Sequence, residues 1–146
     1  IPEEINLAQD LKDYPNLPAA ERRAYDKILS FLIFLDSIQT ANLPNVASYI
    51  TANEVNLCLS IQTFQEALHS QSYSYMLDSI CAPNERNDIL YQWKNDEHLL
   101  RRNTFIGEIY NSFQEDQSQL NFMRAVMGIT FLKEFIFTVV LCFSTT

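Results

Sequence analysis

The chain has 146 residues, 47% hydrophobic and 19% charged, a globular composition with enough apolar surface for one core. Ten Lys and Arg face 18 Asp and Glu, for a net charge of −8. That balance speaks against a nucleic-acid backbone or an anionic membrane as partner, since both need clustered cations. Only 2 glycines occur, whereas hairpins and bulges need glycine, so long helices with few tight turns are expected. Cys58, Cys81 and Cys142 form no CxxC pair, which indicates neither a disulfide framework nor a thiolate zinc site. No signal peptide is recognisable. The most apolar run, Phe135 to Phe143, is too short to span a bilayer and follows Lys133 and Glu134. The expectation is a cytoplasmic, all-α protein.

Residues 1–17 read as an extended lead-in punctuated by Pro2 and Pro15, and residues 18–146 as helices of one domain. Pro18 suits the first turn of a helix, where its missing N–H costs nothing. That helix is predicted to reach Ala41, with an apolar run from Phe31 to Leu35, and to end or break at Pro44. A second helix is expected from Thr51 or Asn53, either of which can cap it, to Cys81. Pro83-Asn84 signals a turn. A third helix covers Asn84 to Phe113 with a kink near Asn95-Asp96. Glu115 to Ser118 is a polar connector, and a fourth helix runs from Leu120 to Phe143.

The second helix carries the informative stripe. Steps of three and four place Val55, Leu59, Gln62, Glu66, His69, Tyr73, Met76 and Ile80 on one face. Apolar residues frame a carboxylate, an imidazole and a phenol, which implies a buried centre whose polar groups need partners. Asp36 lies 15 residues before position 51 and Glu66 lies 15 after it. A hairpin turning there sets the two carboxylates at one height, so Asp36, Glu66 and His69 converge. Helical bundles build dinuclear metal sites from such carboxylates and Glu-x-x-His pairs. Taken alone, a Glu-x-x-His pair is commonly a surface feature, and an Asp after an apolar run an ordinary buried polar group. His98, in Asp96-Glu97-His98, reads as a surface residue, and Trp93 as a packing residue. Two histidines and no glycine elbow offer no nucleophilic triad.

Three stretches resemble the radical-generating small subunit of class I ribonucleotide reductase: Pro2-Glu3-Glu4, Leu35-Asp36-Ser37-Ile38-Gln39, and Phe64 to Tyr73 (Phe-Gln-Glu-Ala-Leu-His-Ser-Gln-Ser-Tyr). The resemblance covers residues 1 to about 132 and about half of a typical family member. It implies a ferritin-like bundle, and a dinuclear centre of two iron ions or of manganese and iron. In this likeness Asp36 is the carboxylate on the first metal, Glu66 the bridging carboxylate, and His69 the histidine on the first metal. Tyr73 is the residue oxidised to a stable radical; relatives with Phe at that position store the oxidising equivalent on a Mn/Fe centre. Phe137 walls its pocket.

The resemblance further implies a homodimer that passes the radical to a separate large catalytic subunit, which reduces ribonucleotides. The sequence departs from the family in three places. The second Glu-x-x-His helix is absent, as in a bundle truncated before it. Lys133 stands where a carboxylate ligand is expected, and Glu134 takes that role only if the fourth helix shifts by one residue. The family's tryptophan two residues before Pro-Glu-Glu would stand just ahead of Ile1. These departures lead to an expectation of at most partial metal occupancy unless a second polypeptide, or further residues of the same protein, supplies the other half. Two alternatives stay open: a split fragment acting as an assembly partner, and a site shared between two chains.

Overall fold

The computed structural model describes residues 4–130, and these contain helices and turns with no strand. Six helices appear: α1 (Ala8–Asp13), α2 (Ala19–Tyr49), α3 (Asn53–Ile80), α4 (Arg86–Leu90), α5 (Glu97–Glu115) and α6, helical from 119 to 130. Short 3-10 turns at Tyr14–Asn16 and Gln92–Asn95 precede α2 and α5.

The lead-in is not extended. Asn6 Oδ1 accepts the Ala8 N–H at 3.0 Å and starts α1. Tyr14 is then buried and donates its hydroxyl to Asp26 Oδ1 at 2.5 Å, anchoring the segment on α2. Pro15 sits at the start of its 3-10 turn, where no N–H is required.

Nor does Pro44 end α2, which continues for another turn to Tyr49. Proline inside a helix costs about 3 kcal/mol through a lost hydrogen bond and a ring clash. Leu43 and Val46, on either side of it, are essentially fully buried. Each such burial contributes roughly 1.5–3 kcal/mol, enough to carry the helix past the proline. Asn42 and Asn45 also donate side-chain N–H groups to the Ile38 and Ala41 carbonyls in the neighbouring turns.

α2 and α3 form the long hairpin, turning at 50–52. The residue at the α3 cap is Ala52, and neither Thr51 nor Asn53 takes that place. Asn56 Nδ2 closes the turn instead, donating to the Ile50 carbonyl at 2.8 Å. The expected third helix is broken into α4, a 3-10 turn and α5. Asp96 is the reason: its carboxylate accepts the His98 and Leu99 N–H groups and begins a new helix. Lys27 reaches Asp96, Gln39 meets Tyr110 and Asn42 meets Gln114, so α5 runs in the same direction as α2.

Two apolar clusters hold these helices. The larger joins α2, α5 and α6 through Leu35, Leu43, Val46, Ile106, Phe113 and Ile129. The smaller joins Tyr14, α2, the end of α3 and α4 through Leu29, Ile33, Leu77, Ile80 and Ile89. The junction of α2 with α4 is polar as well: Ser30 Oγ donates to the Leu90 carbonyl and accepts the Trp93 N–H, both at 3.1 Å. Trp93 packs on Phe34 with ring centroids 4.2 Å apart.

Candidate metal centre

Asp36 stands midway along α2, and Glu66 and His69 stand on α3 across the hairpin. The equal spacing about the turn brings them level. One donor atom from each lies within 4.8 Å of the other two. His69 Nδ1 is 3.7 Å from Glu66 Oε2 and 4.0 Å from Asp36 Oδ2. These distances lie beyond hydrogen-bond range, and the three donor atoms form a group that could hold a metal ion.

Burial within the trio is graded. The Glu66 side chain is fully buried, Asp36 is 14% exposed and His69 is 50% exposed. The expectation of a buried centre therefore holds for Glu66 and not for His69. Among the described residues, α3 buries only Glu66, Leu77 and Ile80, so its polar stripe is covered along one edge. Tyr73 is half-buried one turn beyond His69 and packs against the smaller apolar cluster. Burial, and next the Asp36 charge, raise its hydroxyl above the ordinary phenol range. Tyr73 is therefore a neutral phenol within the field of Asp36.

The donor set fits a metal ion. Two carboxylates and an imidazole are ligands that first-row divalent ions accept. Asp36 also accepts the Thr40 hydroxyl on its backbone carbonyl at 2.8 Å. Next to that turn, the buried Gln39 accepts the Tyr110 hydroxyl at 2.9 Å. Gln39 has no role in the sequence beyond its place in the Leu35–Gln39 stretch, and Tyr110 has none.

Glu134, Lys133 and Phe137 lie outside the described residues. His98 is exposed on α5 and, among the described residues, joins no group of ligand-bearing side chains.

The family model described as "Ribonucleotide reductase, small chain" matches residues 1–144. The chain belongs to this family. It is 67% identical over 143 residues to a ribonucleoside-diphosphate reductase subunit beta from Treponema pallidum, covering 94% of this chain and 41% of that one. A subunit beta from Aquifex aeolicus is 41% identical over 138 residues, covering 94% of this chain and 20% of the relative. Among solved structures, the ribonucleotide reductase R2 subunit from Clostridium botulinum superposes with a TM-score of 0.84 at 55% identity, covering 88% of this chain and 40% of that one. A crystal structure from Bacillus halodurans assigned to class I ribonucleotide reductase gives 0.88 at 35% identity, covering 94% and 49%. The fold is thus the all-α, ferritin-like bundle of these reductase small chains. The chain spans about two-fifths of the length of its Treponema relative. The family implies a dinuclear metal centre, and among the described residues Asp36, Glu66 and His69 form a group that could hold a metal ion.

Proposed function

We propose that this chain carries the radical-generating half-site of a ribonucleoside-diphosphate reductase small subunit. The observation that supports this most is the meeting of Asp36 from α2 with Glu66 and His69 from α3, one turn from Tyr73. Asp36 and His69 would hold one metal ion, and Glu66 would reach toward a second. When bound, a pair of iron ions, or manganese with iron, would supply the oxidising equivalent from molecular oxygen. This chain's own residues do the rest. Glu66 brings its carboxylate to a fully buried position beside the half-exposed His69. Tyr73 keeps its proton at neutral pH and is the group to be oxidised, half-buried against the smaller apolar cluster.

Under this reading the radical passes to a separate large catalytic subunit, the small subunit is a homodimer, and both work in the cytoplasm. The outward face of α3 supports a subunit contact: Leu57, Ile61 and Phe64 are each more than 60% exposed. No helix among the described residues is long and apolar enough to cross a membrane.

A second reading has an observation of its own. A dinuclear site takes about four carboxylates and two histidines. The described residues gather two carboxylates and one histidine. The other ligands then come from Glu134, from further residues of the same polypeptide, from a second copy, or from a separate polypeptide. Metal stoichiometry separates these cases: two ions per chain for a complete site, one for a site shared by two chains, none for an inert assembly partner.

The test is to load the chain with Fe(II) and oxygen and record its electron paramagnetic resonance beside that of Tyr73→Phe. The variant removes no ligand, so metal content stays nearly constant while any tyrosyl signal disappears. An unchanged signal would move the radical to another of the seven tyrosines.

A further inference from the structure

We infer that the Tyr110–Gln39 hydrogen bond is a positioning device for the metal-binding turn of α2, holding Asp36 in register with Glu66 and His69. The inference rests on the metal reading above and adds to it two residues that touch no metal. Gln39 is 2% exposed, and so is Tyr110. Their bond, at 2.9 Å, is formed inside the larger apolar cluster.

The geometry explains why one bond there matters. Asp36 and Gln39 are three residues apart on one helical turn, with Asp36 toward α3 and Gln39 toward α5. The apolar contacts between α2 and α5 are non-directional and tolerate small rotations of α2 about its axis. A phenol donating to a buried amide oxygen is directional and has one good register. A rotation of about 10° moves a group carried 5–6 Å from a helix axis by about 1 Å. Metal-ligand distances tolerate only about 0.2 Å. The Tyr110 bond fixes the one rotation that aims Asp36 at the other two ligands. Gln114 repeats the pattern a turn further on, donating to Asn42 Oδ1 at 3.0 Å.

The test uses the full chain and Co(II) as the metal probe, titrated without oxygen and read by its visible absorption, with thermal midpoints measured in parallel. In the parent the band depends on His69 and is lost in His69→Ala. Tyr110→Phe keeps the ring and removes only the donor, and its Co(II) affinity falls about tenfold or more at temperatures where it is folded. Ser30→Ala breaks another buried polar joint of α2, to Leu90 and Trp93, and leaves the affinity unchanged. The double variant Gln39→Leu with Tyr110→Phe orphans no amide, so its midpoint recovers while its affinity stays low. Three results overturn the inference: Tyr110→Phe binding Co(II) like the parent, Ser30→Ala weakening it equally, or the double variant recovering affinity together with midpoint. A parent with no His69-dependent band brings down the metal reading, and the inference with it.

Discussion

At the residue scale, burial and charge separate the members of the site. Glu66 is the deepest carboxylate, and His69 keeps half its surface open. Under the proposed metal reading, His69→Ala therefore removes a ligand without opening a core cavity. Metal content should fall while the thermal midpoint of the apoprotein stays close to the parent's; a large loss of midpoint would mark His69 as structural. Tyr110 is the residue whose titration bears most plainly on stability. Burial raises its phenol from 10 to about 12. The fold thus favours the neutral form, and the associated stability, of order 2 kcal/mol, is complete below pH 10 and lost as pH rises toward 12. Tyr110→Phe should flatten that alkaline loss, as read from denaturant midpoints across the range.

At the element scale, the two long helices were legible, as were the start of α2 and both ends of α3, while the C-terminal end of α2 was not. The apolar run of α2 and the stripe of α3 gave both helices, and the equal spacing about position 51 gave their register. Pro44 misled because a local cost was weighed without the burial of Leu43 and Val46, which depends on α5 and α6. Leu43→Ala should lower stability by about 2–5 kcal/mol in chemical denaturation, the usual range for a fully buried leucine. The break before α5 is set by Asp96, whose carboxyl is held below the usual range by the Lys27 ammonium and then by the Leu99 N–H. The charged form is favoured in the fold, so this support is present above the ordinary carboxylate range and lost as pH falls below it. Asp96→Ala should lower the thermal midpoint at pH 7 and reduce its fall on acidification. Equal acid slopes in parent and variant would assign the acid sensitivity to other carboxylates.

At the scale of the whole molecule, the family and the ferritin-like bundle were legible through the resemblance carried by Leu35–Gln39 and Phe64–Tyr73, while helical spacing gave only the candidate group of Asp36, Glu66 and His69. The Gln39–Tyr110 bond was not legible: its partners are 71 residues apart, and only the packing of α5 on α2 joins them. The exposure of His69 was hidden for a related reason. Apolar framing shows that a stripe is covered, not how many neighbours cover it.

The proposed site requires Asp36, Glu66 and His69 to bind one metal ion together, which anomalous diffraction from crystals of the chain soaked in Mn(II) will show. A peak is expected between the three side chains, about 2.0–2.4 Å from a donor atom of Asp36 and of His69 and in contact with Glu66. Mn(II) bound elsewhere, with no density between α2 and α3 at these residues, would contradict it.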